Sequence, residues 1–414
     1  MNIKHHIVFS LTAACLLLTS CGLPVASTPD STAGLKAGNM SLEYLSDNAG
    51  SIGRGAQGES GYYYVDLSED NTYANIHIID EESHQDVILC SSPNCEHNTD
   101  SCPAYLSLTE DYMPDLLYFD QKVILFFPGM NAPDVQVHPH IDLLNSDGTN
   151  RQILYTFEAN QEFGSGIAGG NEKLYFILST YEIEQTKDEL VCLDITDGSL
   201  ETVCPLDDFC FLEGAFGGQL IIKTIGNSML SAGDEESSTE ASFWAQEHVL
   251  EAVDVTSGLI TPIRSWKQDT YWEQLGGGQL FLLSVPDGQL HLQVHDLATG
   301  EEKEYDLGIK LDEPKRISRM SWHHDTLFFE PLSGYEENGD LLSSQWAFDP
   351  KTEEWWEIKL YDPVRGYPIR IDGELGNGVV LRVPHYNGSD ISSFDRYRFK
   401  YCSWQDFMNS QLPE

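Results

Sequence analysis

Residues 173–205, KLYFILSTYEIEQTKDELVCLDITDGSLETVCP, constrain the fold more than any other stretch of the chain. They read as three short strands with two punctuations: an apolar run at 174–178, a polar turn at 182–188, a second run at 190–195, then Asp197-Gly198 leading into a third at 200–203. Asp-Gly between two such runs is a hairpin signal, because both residues tolerate the positive φ that a tight turn requires.

The same unit recurs with decay. Anchored on the turn that follows the 190–195 run, copies fall at Asp80, Leu144, Asp194, Asp254, Asp296, Asp349 and Asp395, with gaps of 64, 50, 60, 42, 53 and 46 residues. Seven units of this length fit the blades of a β-propeller, each a four-stranded sheet. Glycines at 169–170, 217–218, 276–278, 376 and 378 are expected to open each unit, where the chain enters a crowded innermost strand. A sandwich array would carry similar punctuation. The expected fold is therefore all-β, a propeller of seven blades over residues 41–414.

The N-terminus bears on location. Lys4, His5 and His6 precede an apolar run at 7–18, and Leu18-Thr19-Ser20-Cys21 closes it. This reads as a signal peptide over 1–20. The tetrad resembles the bacterial lipobox, in which the cysteine receives a diacylglyceryl group, so the resemblance implies Cys21 as the lipid attachment site. Two or three acyl chains on one residue suffice for stable anchoring. Residues 21–40, rich in Ser, Thr, Pro, Ala and Gly, read as a disordered tether. No other run approaches the roughly 20 apolar residues of a membrane helix.

Charge narrows the partners. With 66 Asp and Glu against 23 Lys and Arg, the net charge is −43. Such a body repels nucleic acid and anionic lipid headgroups. The 394 residues left after processing (414 minus 20) can bury a substantial core, and the repeats continue without a linker, so one domain and a monomer are expected.

Cys90-Ser-Ser-Pro-Asn-Cys95-Glu-His97-Asn-Thr-Asp-Ser-Cys102 holds the most chemistry per residue, in an insertion at 90–105 between the first and second units. Three thiolates and an imidazole complete a tetrahedral set for structural zinc, and soft sulfur selects that metal over calcium or magnesium. Four protein ligands leave no open position for catalytic water. The spacing C-x4-C-x-H-x4-C is not a common finger pattern, and an exported chain also meets oxidants. A disulfide therefore stays open beside the metal. Excluding Cys15 and Cys21, nine cysteines become seven, an odd number that cannot pair fully within one chain.

The phrase from Val87-Ile88-Leu89-Cys90 through Cys102-Pro103-Ala104-Tyr105 resembles a segment of surface lipoproteins of Gram-positive bacteria. These combine a lipobox, a polar tether and a repeat region similar to TolB-like or Kelch-like propellers. The resemblance implies location at the extracytoplasmic face of the cell membrane and a propeller fold, and is silent on reaction.

His138 and His140 are spaced to share one strand face, whereas His323 and His324 would point to opposite faces of a strand. Residues 228–242 form an acidic, serine-rich insertion, and Trp266, Trp272, Trp322, Trp346, Trp355 and Trp356 crowd the second half, where blade-to-blade packing is the simpler use. There is no G-x-S-x-G elbow, H-E-x-x-H pair or phosphate loop. The expectation is a membrane-anchored binding or interaction platform for a protein or carbohydrate ligand. The alternative is a carbohydrate-active or other hydrolytic enzyme that assembles its site from separate blades.

Overall fold

The computed structural model describes residues 34–35, 40–46, 55–108, 113–132, 135–183, 185–207, 209–226, 247–267, 272–286, 288–311, 316–335, 341–388 and 391–412. Cys21, the signal peptide at 1–20, most of the tether at 21–40 and the insertion at 228–242 lie outside them. The chain is a seven-bladed β-propeller, with blades at 56–107, 115–156, 161–205, 210–267, 272–310, 316–358 and 370–403. Every blade is an antiparallel meander. Among the described residues, no helix is long and apolar enough to cross a membrane.

The second strand of each blade explains the ring. In Lys173–Tyr181 the side chains of Leu174, Phe176 and Leu178 enter the core shared with blade 2, while Tyr175 and Ile177 enter the core shared with blade 4. Successive side chains point to opposite faces of a strand, so a blade packed on both sides turns alternation into a continuous apolar run. Val123, Leu125 and Phe127 face blade 1, and Ile124 and Phe126 face blade 3. Phe281 and Leu283 face blade 6, and Leu280 and Leu282 face blade 4. Among the described residues seven such cores alternate with the seven blades. The last, built from Tyr62, Tyr64 and Ile79 of blade 1 and Leu375, Val380 and Phe399 of blade 7, closes the circle.

These second strands are the ones the sequence reading numbered first. The true first strands, such as Cys210–Phe216 and Trp272–Gly276, line the channel on one side and carry fewer large apolar residues. Glycines expected to open each unit therefore close its first hairpin instead: Gly217 and Gly218 lie between Cys210–Phe216 and Gln219–Ile225. The frame position at Asp395 also shifts, because it begins the third strand of blade 7, Phe394–Ser403, and does not follow it. Blade 7 has three strands and ends in a short helix, Trp404–Met408.

The turn after the third strand repeats one chemistry in five of the seven blades. Asp194 Oδ1 accepts the Thr196 N–H at 2.9 Å, its carbonyl accepts the Gly198 N–H at 3.0 Å, and Gly198 sits at φ +72°. Asp254 with Gly258, Asp296 with Gly300, Asp349 with Glu353 and Asp80 with His84 form the same turn. Glu353 and His84 hold the left-handed conformation without glycine, at φ +60° and +54°.

The N-terminal strand Glu43–Ser46 joins neither the first nor the last blade. It pairs antiparallel with the inner edge of Gln161–Gly170 in blade 3, Glu43 opposite Gly169 and Tyr44 opposite Ala168. Upstream, the Leu35 N–H donates to Leu297 O of blade 5 at 2.7 Å.

Two glycines separate backbone strain from packing. A Cβ on Gly198 would lie 2.9 Å from Leu154 O of blade 2, whereas one on Gly366, at φ +71°, would meet nothing within 4 Å. Gly366→Ala should cost about 1–2 kcal/mol from φ alone. Gly198→Ala should cost about 1 kcal/mol more through the contact, read as the difference in urea midpoints.

Candidate functional site

The outer strand of blade 1 is split. Asp86–Ile88 and Tyr105–Ser107 both pair with Tyr73–Asp80, His77 opposite Ile88 and Asn75 opposite Tyr105. Between these pairs, Ile76 joins the two halves: its N–H donates to Ala104 O and its carbonyl accepts the Leu89 N–H, each at 2.9 Å. Cys90 follows Leu89 and Cys102 precedes Ala104 by two residues, so the ladder brings the ends of the insertion together at Ile76. Turns do the rest, with Asn94 at φ +61° and His97 at φ +57°.

As a result one ligand atom each from Cys90, Cys95, His97 and Cys102 lies within 4.8 Å of all the others, and His97 Nδ1 is 3.3 Å from Cys102 Sγ. Ligand atoms around a tetrahedral zinc are separated by about 3.5–3.8 Å, which follows from metal–ligand distances of about 2.0–2.3 Å. The cluster thus matches a closed four-ligand site. All seven cysteines among the described residues are free thiols.

Surrounding groups hold the knuckle in place. Buried Asn75 donates to His97 O at 2.9 Å, and Arg151 of blade 2 donates to Tyr105 O at 2.7 Å while its Nε holds Asp142. Leu89, Cys102 and Ala104 belong to the core between blades 1 and 2. Burial pushes the Cys102 thiol up to about 12, with the neighbouring Cys90 and Cys95 adding to it. Burial also raises Cys90, but the Ser92 backbone N–H and the nearby thiols outweigh it and hold Cys90 below its ordinary value. Crowded thiols that resist joint ionisation are the arrangement that a bound cation reverses, since its charge favours every thiolate at once.

The channel holds a cavity of about 390 Å³, lined by Tyr44 of the N-terminal strand, Glu213, Gln274, Arg319, Trp322 and Asp372 among others. Charged groups here brace blades. Lys223 of blade 4 lies 2.6 Å from Glu213 and 2.7 Å from Glu273 of blade 5. Burial alone would lower the Lys223 pKa, and the two carboxylates outweigh it. Asp372 of blade 7 accepts the Tyr62 hydroxyl of blade 1 at 2.8 Å.

His323 and His324 correct the sequence reading. His324 turns to φ +44°, which breaks the extended geometry, and both rings approach Glu374 of blade 7, at 3.8 and 3.7 Å. His138 and His140 form no metal pair, since His138 Nδ1 lies 2.7 Å from Phe157 O and His140 stacks on Phe127 at 4.4 Å. The tryptophans pack between blades: Trp322 covers Gly276 and Gly277 of blade 5, and Trp355 Nε1 donates to Leu307 O at 3.0 Å. The braces themselves were not anticipated, because Lys223 and Glu273 are 50 residues apart and nothing local marks them as partners.

Beside the Lys223 brace, buried His248 has its pKa lowered to about 4 by burial and by the Lys223 charge. The unfolded imidazole titrates near pH ~6.5, so between those values the unfolded state binds more protons and stability falls as pH drops. His248→Gln should therefore lose less stability than the parent chain between about pH 7 and about pH 4.5, measured as urea midpoints. Equal losses would show that His248 does not contribute.

No family model and no curated protein sequence matches the chain. Solved structures do match in fold. A prolyl endopeptidase aligns at 11% identity with TM-score 0.52, covering 87% of this chain and 48% of that one. The puromycin-hydrolysing peptidase of Mycobacterium tuberculosis aligns at 11% identity and TM-score 0.48, covering 90% and 55%. The β-propeller domain of the Trilobed protease from Pyrococcus furiosus, described as having an open velcro topology, aligns at 12% identity and TM-score 0.47, covering 90% and 99%. The chain thus spans about half the length of the two peptidases. At such identities the likeness establishes the fold alone, a β-propeller, and in this chain the first blade carries a Cys₃His cluster.

Proposed function

We propose that the chain is an extracytoplasmic lipoprotein, anchored in the cell membrane through an acylated Cys21, whose propeller serves as a binding platform for a protein or carbohydrate ligand. What supports the platform reading is the use to which the charged side chains around the channel are put. Lys223 ties Glu213 to Glu273 across blades 4 and 5, Asp372 is tied to Tyr62 across blades 7 and 1, and His323 to Glu374 across blades 6 and 7. Groups spent on bracing are poor candidates for proton transfer, and Trp322 and the backbone of Gly276–278 line the same cavity. A hydrolytic enzyme is the second reading, favoured by the likeness to a prolyl endopeptidase, whose named activity belongs to a chain about twice this length.

Within the platform reading, Cys90, Cys95, His97 and Cys102 hold one structural zinc. A loop with little core of its own gains its order from such a site, and metal binding free energy becomes folding free energy.

Two experiments address these proposals. In a bacterial host fed an alkyne fatty acid, the full chain should be labelled and sediment with membranes, and Cys21→Ala should abolish both; a labelled Cys21→Ala chain contradicts the anchor. Elemental analysis of the purified chain should give about one zinc per molecule, and Cys95→Ser should lose it together with roughly 2–5 kcal/mol of stability. Absence of metal together with two missing thiols after denaturation would make the insertion a disulfide-stapled loop and refute the zinc.

A further inference from the structure

The channel cavity lies at one end of the ring. Strands of a meander alternate in direction, so the turns after the first and third strands of a blade fall at the same end. Gly277 and Gly278 from the first turn of blade 5 line the cavity, as does Leu297 from the turn after its third strand. Phe216, the last residue of the first strand of blade 4, joins them. The cavity therefore sits at the end that carries the five Asp turns.

The N-terminal segment is fastened at that same end. Leu297, on the cavity wall, accepts the Leu35 N–H at 2.7 Å, and Leu35 packs against the core between blades 4 and 5. A Cβ on Gly34 would lie 1.8 Å from Ala298 O, so this seat admits glycine alone. In the Asp254 turn of blade 4, Thr256 Oγ1 donates to Met40 Sδ at 3.8 Å.

Gly34 is 13 residues from Cys21 (34 minus 21). A chain of that length spans at most about 45 Å, and about 20 Å as a random coil. The ten-residue strand Gln161–Gly170 runs about 33 Å from one end of its blade to the other. Bringing the far end of the ring to a bilayer would stretch such a chain well past its coil length, whereas bringing the cavity end there would not.

Charge describes what this end can meet. The hydroxyls of Ser83, Thr149 and Thr196 hold Asp80, Asp147 and Asp194 below the ordinary carboxylate value, and the Ser257 and Thr256 N–H groups do the same for Asp254. These carboxylates are ionised at neutral pH. Anionic headgroups repel such a face at separations below the Debye length of about 8 Å, which leaves a gap between ring and bilayer.

On the Cys21 anchor proposed above, we infer that the channel cavity faces the bilayer and takes a basic segment of a membrane protein lying at the bilayer's outer surface. The inference deepens the platform reading by naming the class of partner and the side from which it comes.

The test reconstitutes the full chain, acylated at Cys21, into vesicles of phosphatidylethanolamine and phosphatidylglycerol doped with an energy-acceptor lipid. A fluorescent amino acid replaces either Lys351, in a turn at the cavity end, or Ile183, in a hairpin at the far end; both positions are exposed. Transfer from position 351 should exceed that from 183 by about twofold or more, and a Gly-Ser insertion of roughly 40 residues between Cys21 and Gly34 should level the two. Equal transfer with the native spacing would overturn the orientation and leave the anchor standing. A chain that fails to float with the vesicles refutes the anchor and the inference together. For the partner, the vesicles carry a lipid-linked oligolysine or oligoglutamate peptide. A photoreactive amino acid replacing Gln279, on the cavity wall, should crosslink oligolysine about tenfold more, and Cys21→Ala should abolish that capture by removing the shared surface. No preference for oligolysine, or undiminished capture by Cys21→Ala, contradicts the partner.

Discussion

Each second strand of this propeller is buried on both faces by two different neighbours, and the rest of the structure depends on that constraint. A blade cannot bury Leu174, Phe176 and Leu178 without blade 2, nor Tyr175 and Ile177 without blade 4. No blade encloses a core by itself, because each of the seven cores is shared between two blades. Tyr62 and Tyr64 make that last contact with Val380 and Phe399 through side-chain packing. Among the described residues no strand is shared between the two ends of the chain, so side-chain packing and hydrogen bonds, such as Tyr62 to Asp372 and Arg396 to Glu69 O, close the ring.

Electrostatics work around this apolar framework. The body carries a net charge of −43, yet charges near the axis and between blades are paired or hydrogen-bonded across blade boundaries, as with Lys223, Glu213 and Glu273, or Glu330 and Arg370. Buried charges need partners, and in a ring of separate sheets the nearest partner often lies on the next blade.

The cysteine knuckle rests on a different solution. It interrupts the outer strand of blade 1, where an insertion disturbs neither the channel nor the ladder, because Ile76 bonds to both Leu89 and Ala104 across the gap. The insertion then needs only two left-handed turns and a cross-link to become rigid. Arg151 and Asn75 tie it to its neighbours, so its order is coupled to the packing of blades 1 and 2.

Much of this was legible in the chain. The apolar second strands, the Asp turns with a left-handed residue four positions on, and the closeness of Cys90, Cys95, His97 and Cys102 are local features, and local features leave a periodic or spaced trace in sequence. The polar-faced first strands leave a weaker one, which is why the glycines were assigned to the wrong end of the first hairpin. Only tertiary structure decided that Glu43–Ser46 enters blade 3, that His323 and His324 share Glu374, and that Arg319, Arg365, Arg370 and Arg382 line one cavity. These residues come together only when neighbouring blades pack and the ring closes. Sequence records what each strand must bury, whereas the identity of its neighbour is settled by the geometry of a closed circle.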